Sequence, residues 1–229
     1  MKIGGLRQLS LLDFPGRVAC TVFLSGCNLR CPYCHNPSLV LPSDEPETLS
    51  QQALLDFLDS RRGKLDGVCI SGGEPTLHKE LPQLLRRIRE RGFLTKLDTN
   101  GTDPAMLAAL LREGLLDYVA MDIKNAPSLY AQTCGGIARL SQVRESAALL
   151  LGGDVDYEFR TTVCAPLHTQ EAMVEIGQWL LGAKRYFLQP FVDPVTLLGG
   201  GVSPLPHEAV SALRDSVLPY IPSTQIRGE

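Results

Sequence analysis

Short β-branched or apolar runs alternate with longer segments of helical period along nearly the whole chain, and that alternation restricts the fold to parallel strands joined by right-handed helical crossovers. The strand-like runs are Val18 to Leu24, Val68 to Ser71, Leu94 to Thr99, Tyr118 to Ile123, Tyr157 to Val163 and Arg185 to Gln189. Between them the period predicts a helix over Ser50 to Arg61 with Leu54, Leu55 and Leu58 on one face. A second covers Lys79 to Arg91, where Leu81, Leu84, Leu85 and Ile88 form an inward stripe. Asp103-Pro104, an N-cap followed by proline at the first helical position, opens a third that Gly114 stops. Further helices are expected over Leu140 to Leu151, Thr169 to Leu181 and His207 to Leu218.

About six β/α units result, which an open doubly wound sheet or a barrel could close. The common eight-unit barrel takes roughly 250 residues, and this chain has 229. The expectation is therefore an α/β fold, a partial (β/α)6 barrel of parallel strands, in a single domain over 1–229. Its core is placed at about 16–191, and a C-terminal helix and tail at about 204–229. The Pro-rich stretch Pro37 to Pro46 reads as a loop.

With 44% apolar and 21% charged residues the composition excludes extensive disorder. A net charge of −3 provides no basic field for nucleic acid or an anionic membrane. No run approaches 18 apolar residues, and the opening MKIGGLRQLSLLDFPG holds no signal-like apolar stretch, so a cytoplasmic location is expected. In a reducing compartment seven cysteines argue for metal binding or catalysis rather than a disulfide framework.

In such folds the chemistry gathers at the C-terminal ends of the strands. There the sequence reads Ser25-Gly26-Cys27, Ser71-Gly72-Gly73-Glu74-Pro75, Asp98-Thr99-Asn100-Gly101 and Asp122-Ile123-Lys124. Cys27, Cys31 and Cys34 are spaced C-x3-C-x2-C, and three thiolates on so short a loop can hold three irons of a four-iron cluster, leaving the fourth iron open to another ligand. Other readings stand beside this one. Cys31-Pro32-Tyr33-Cys34 resembles the dithiol of a thiol-disulfide oxidoreductase, although Asn36-Pro37 disfavours the helix such a dithiol needs. A zinc site using Cys20 as fourth ligand and a haem attachment at Cys31-x-x-Cys34-His35 are further alternatives.

C-x3-C-x2-C together with Gly72-Gly73-Glu74 after the next strand resembles the radical S-adenosylmethionine (SAM) enzymes. LLDFPG at 11 to 16 and CNLRCPYCHNP at 27 to 37 are similar to the glycyl-radical activating enzymes, most of all to the activating proteins of anaerobic ribonucleoside-triphosphate reductase. The resemblance implies one [4Fe-4S] cluster on Cys27, Cys31 and Cys34, with SAM chelating the fourth iron. It implies reductive cleavage of SAM by an electron from a donor such as flavodoxin or ferredoxin, and hydrogen abstraction from a glycine of a partner, anaerobic ribonucleotide reductase. By the same resemblance Tyr33 packs beside adenine, while Gly72, Gly73 and Glu74 meet the methionine ammonium. Asp98, Thr99 and Asp122 surround a monovalent cation near the SAM carboxylate, Lys124 pairs with that carboxylate, and Arg160 and Gln189 reach ribose or adenine.

Other conspicuous residues read more simply. Cys20 and Cys69 fall inside strands and behave as small buried apolar groups. Cys134 and Cys164 lack the dense cysteine run of a second cluster. Arg86, Arg87, Arg89 and Arg91 read as a solvated helix face, His78, His168 and His207 as surface or capping residues, and Trp179 as core.

Overall fold

The computed structural model describes residues 1–41, 49–136, 139–192 and 197–228. Its strands are β1 (Ile3–Ser10), β2 (Ala19–Leu24), β3 (Gly67–Gly72), β4 (Leu94–Thr99), β5 (Tyr118–Asp122), β6 (Asp156–Val163), β7 (Tyr186–Pro190) and β8 (Thr224–Ile226), hydrogen-bonded in chain order. The α-helices are α1 (Pro37–Val40), α2 (Gln51–Asp59), α3 (Leu81–Arg89), α4 (Pro104–Arg112), α5 (Tyr130–Thr133), α6 (Leu140–Leu151), α7 (Gln170–Trp179) and α8 (His207–Val217). Two compact units divide the chain, one of residues 1–28, 38–99 and 103–120 and one of 29–37, 100–102 and 121–229.

In the first unit β2 pairs parallel with β3 and β3 with β4, and the ladder from Ala19↔Gly67 to Leu24↔Gly72 brings the two strand ends level. The helices cover this sheet as the periodicity predicts: Leu54, Leu55 and Leu58 of α2 and Leu81, Leu84, Leu85 and Ile88 of α3 are all buried. Both expected caps form, Ser50 Oγ accepting from Ala53 N at 3.1 Å and Asp103 Oδ1 from Met106 N at 2.9 Å. In the second unit β6 and β7 run parallel, Thr162 stands opposite Gln189, and Thr169 caps α7.

Some expectations are corrected. The opening residues form an antiparallel edge strand, β1, against β2. Its two glycines and mostly exposed middle hide it from a pattern built on apolar runs, and β8, three residues long, is too short to show any period. The predicted loop from Pro37 begins as the helical turn α1, and residues 42–48 lie outside the described set. The arginine-rich face of α3 is ion-paired rather than merely solvated, with Arg86 on Glu113, Arg89 on Asp117 and Arg91 on Asp59. Trp179 is only half-buried, its ring edge-on to Tyr130 at 6.2 Å. Among the described residues no helix is long and apolar enough to cross a membrane.

Within LLDFPG the structural residue is Phe14, which is buried with Ala19 and Tyr118. A Cβ at Gly67 would stand 2.8 Å from the Phe14 ring, so that glycine makes room for it. Asp13 secures the same segment by accepting from Thr21 Oγ1 at 2.6 Å. Phe14→Ala is expected to destabilise the chain by about 3–5 kcal/mol, read as a lower urea midpoint at constant denaturant slope.

Candidate functional site

In the first unit β2 leaves the sheet at Leu24 and turns through Ser25-Gly26-Cys27, Gly26 adopting φ +100°. The loop after β3 lies directly on it. Gly73 N donates to Leu24 O at 2.9 Å and Glu74 N to Gly26 O at 2.8 Å. Cβ atoms at Gly72 and Gly73 would fall 2.2 Å from Leu24 O and 2.1 Å from Gly26 O, so neither position admits a side chain. The two glycines thereby seat the backbone that carries Cys27. His78, the C-cap of the turn Pro75–Leu77, adds a contact from its Nε2 to Ser25 O at 3.0 Å.

Glu74 is fully buried. Its Oε1 accepts from Thr76 N, Thr76 Oγ1 and Thr99 Oγ1 at 3.0, 2.6 and 2.8 Å, fastening the end of β3 to the end of β4. Asp98 is engaged through both oxygens. Oδ1 meets the buried Lys96 ammonium and lies 3.6 Å from Cys69 Sγ, while Oδ2 accepts from Ser71 Oγ at 3.3 Å. Cys20 and Cys69 are buried in their strands as expected, and burial pushes the Cys20 thiol up to about 12.

In the second unit Cys31 to Cys34 form a turn closed by Cys34 N on Cys31 O at 3.1 Å, and the next helix starts only at Pro37. Cys34 is therefore outside the first turn of any helix, the placement a redox dithiol requires. The Cys31 thiol is drawn down to about 7 by a hydrogen bond from Cys134, which outweighs burial, with the Lys124 charge assisting. Burial holds the Cys34 thiol above its ordinary value. Tyr33, also buried, donates from its hydroxyl to Lys124 O at 3.4 Å.

Asp122, at the end of β5, accepts from Lys124 Nζ at 3.0 Å through Oδ2 and from Arg160 Nε at 2.8 Å through Oδ1. Burial acts to lower the Lys124 pKa, but the Asp122 and Cys31 charges prevail and keep it well above the usual lysine value. Gln189 is half-buried in β7.

Three residues of these surroundings escaped the sequence reading. Lys96 was passed over although K-x-D on one strand puts both side chains on the same face. Cys134, which lacks the cysteine run of a second cluster, meets Cys31, and its carbonyl accepts from Arg30 N at 3.2 Å with Gly135 pressed against Arg30. His168, expected at the surface, is buried. Its Nδ1 accepts from Cys164 N at 3.1 Å and its Nε2 lies 3.0 Å from Lys124 O, so the ring fixes the Lys124 backbone.

Among the described residues no three His, Cys, Asp or Glu side chains stand close enough to enclose a single metal ion. A ligand set of Cys27, Cys31 and Cys34 consequently rests on their spacing and on thiol chemistry. The residues present suit an iron–sulfur group: Cys31 is thiolate-prone near neutrality, and a lysine ammonium lies near enough to act on both Cys31 and Cys34.

The sequence model of the radical SAM superfamily matches residues 21–180. A protein of Methanocaldococcus jannaschii provisionally named a glycyl-radical enzyme activating enzyme is 32% identical over 219 residues, 93% of this chain and 89% of that one. The pyruvate formate-lyase-activating enzyme of Clostridium pasteurianum is 34% identical over 130 residues, 54% of this chain and 52% of its own. Among solved structures, Streptococcus suis SuiB bound to S-adenosylmethionine superposes with a TM-score of 0.70 at 14% identity, covering 91% of this chain and 52% of that chain.

Two outcomes follow from this geometry. Gly73→Ala must push the β3 loop off Gly26 and is expected to cost about 1–3 kcal/mol, measured by denaturant unfolding. Burial lowers the His168 pKa below its ordinary 6.5, so the unfolded chain takes up that proton first. The stability His168 contributes is thus complete above about pH 6.5 and is lost as pH falls below it. Melting temperatures between pH 7.5 and 5 should decline less steeply in His168→Gln, with part of the slope remaining because His78 is shifted the same way.

Proposed function

Because the chain belongs to the radical SAM superfamily, we propose that it activates a glycyl-radical enzyme, placing a radical on a glycine of anaerobic ribonucleoside-triphosphate reductase. The observation that carries this reading is the Cys31–Cys34 turn, closed by Cys34 N on Cys31 O at 3.1 Å, together with the Lys124–Asp122–Arg160 group at the end of β5. Similarity to a glycyl-radical enzyme activating enzyme along 93% of the chain supports the class of partner, and LLDFPG supports the reductase.

In this reading Cys27, Cys31 and Cys34 would hold a four-iron cluster, and that cluster, when bound, would supply the electron for reductive cleavage of the SAM carbon–sulfur bond. Cys27 precedes Cys31 by four residues, a chain reach of at most about 14 Å. Lys124, oriented by Asp122 and by His168 on its carbonyl, pairs with the SAM carboxylate. At the level ends of β2 and β3 the backbone of Gly72 and Gly73 would admit the methionine ammonium, and the buried Glu74 carboxylate would add negative charge there. Tyr33 would pack beside adenine, Arg160 and Gln189 would serve the ribose or adenine, and Tyr33 and Cys31 are already buried.

Anaerobic electron paramagnetic resonance on iron-reconstituted protein, reduced and mixed with SAM and the reductase, tests the proposal. A SAM-dependent glycyl doublet is the expected result. SAM cleavage without the doublet would remove the partner assignment, and a filled cluster without SAM cleavage would remove the chemistry. Replacing Cys27, Cys31 or Cys34 with alanine should abolish SAM cleavage and lower the iron content. Lys124→Ala should keep the cluster absorbance while weakening SAM binding by about tenfold or more, the worth of one charge-assisted hydrogen bond.

A further inference from the structure

The resemblance that suggests SAM also suggests a monovalent cation held by Asp98, Thr99 and Asp122, and the oxygens of this chain do not fit that cation. Both Asp98 oxygens are engaged, Oδ1 by the Lys96 ammonium and Oδ2 by Ser71 Oγ at 3.3 Å. Thr99 Oγ1, which donates to Glu74 Oε1 at 2.8 Å, adds no negative charge that could offset the engaged carboxylates. Both Asp122 oxygens are likewise engaged, by Lys124 at 3.0 Å and Arg160 at 2.8 Å.

Lys96 is the unexpected member. Its side chain is 2% exposed, Cys69 Sγ lies 3.8 Å from its Nζ, and the Tyr118 ring centroid is 5.8 Å away. A lysine this deeply buried persists only when paired, and Asp98 is the carboxylate it meets. A sodium or potassium ion at Asp98 would have to displace that ammonium or sit against its like charge. At Asp122 the carboxylate already pairs with two cations of the chain itself, Lys124 and Arg160, and a sodium or potassium ion there would have to compete with both.

We propose that Lys96 is a built-in counter-ion at the end of β4 and that the chain takes no monovalent metal ion at Asp98, Thr99 or Asp122. The inference rests on the reading of these residues as surroundings of bound SAM, and it extends that reading by making Lys96 a positioning residue that holds Asp98 in place.

Anaerobic calorimetry of SAM binding to the reconstituted protein in sodium, potassium and choline chloride at equal ionic strength tests it. Dissociation constants within twofold of one another are expected. Binding more than twofold tighter in sodium or potassium than in choline overturns the proposal. In Lys96→Met the lost charge should be replaced from solution, so that SAM binds at least tenfold more weakly in choline than in sodium or potassium, whereas Lys96→Arg should behave as wild type. Lys96→Met binding equally well in every salt would overturn the counter-ion role.

The melting temperature of the cluster-free protein gives a readout independent of SAM. It should be the same in the three salts for the wild type and, for Lys96→Met, higher in sodium or potassium than in choline. Should Lys96→Met fail to fold, Lys96→Met/Asp98→Asn removes both charges and should restore a salt-indifferent fold; its failure to do so would overturn the pairing. Absence of SAM binding in every salt by the wild type would instead refute the function proposed above, and the melting data would still decide the counter-ion.

Discussion

The contact on which the first unit depends is the meeting of two backbones, Gly72-Gly73 against Leu24 to Gly26. The parallel ladder between β2 and β3 ends at Leu24↔Gly72, but hydrogen bonds from Gly73 and Glu74 carry the pairing on into the loops. That extension fixes the direction in which the Cys27 loop leaves the sheet. It also buries Glu74, whose carboxylate then serves at once as the cap of the next turn and as the tie to Thr99 on β4. A methyl group at either glycine would sever the first link and loosen the others with it.

The second unit solves the same problem with charge. Asp122 joins the end of β5 to β6 through Arg160 and, by Lys124, to the segment that follows β5. His168 then ties that segment to the turn after β6 through the Lys124 carbonyl and the Cys164 amide. Each unit therefore uses a carboxylate to hold neighbouring strand ends together. Such ties suit strand ends, where the ladder has stopped and backbone groups need other partners.

Much of this was legible in the sequence because it is periodic or local. The α3 stripe, the Asp103 cap and the strand Leu94–Thr99 follow from spacing and from side chains that bond their own backbone a few residues away. The strand-end rule located Glu74, Asp98 and Asp122, since it depends only on element order. What escaped is long-range. No spacing shows that Cys134 meets Cys31 across about a hundred residues, or that burial makes His168 a neutral strut rather than a surface group. Burial alone would raise the thiols of Cys31 and Cys34 alike; the contact with Cys134 separates them. The edge strand β1 escaped for another reason: its two glycines carry no side chain and Arg7, Gln8 and Leu9 are all exposed, so no apolar alternation shows.

Lys96 marks the boundary between the two kinds of information. Along a strand, residues two apart point to the same face, so Lys96 and Asp98 on β4 are neighbours by geometry, and Asp122 and Lys124, which continue from β5, are spaced alike. Both are ion pairs written directly into the sequence. A carboxylate at a strand end carries two readings, one as a ligand for something brought in and one as the partner of a cation two residues away. Burial decides between them, because a buried ammonium without its carboxylate is far costlier than a carboxylate that water can reach. For Lys96, 2% exposed, the pairing with Asp98 has the prior claim, and any role of Asp98 toward a bound molecule must operate with that ammonium in place.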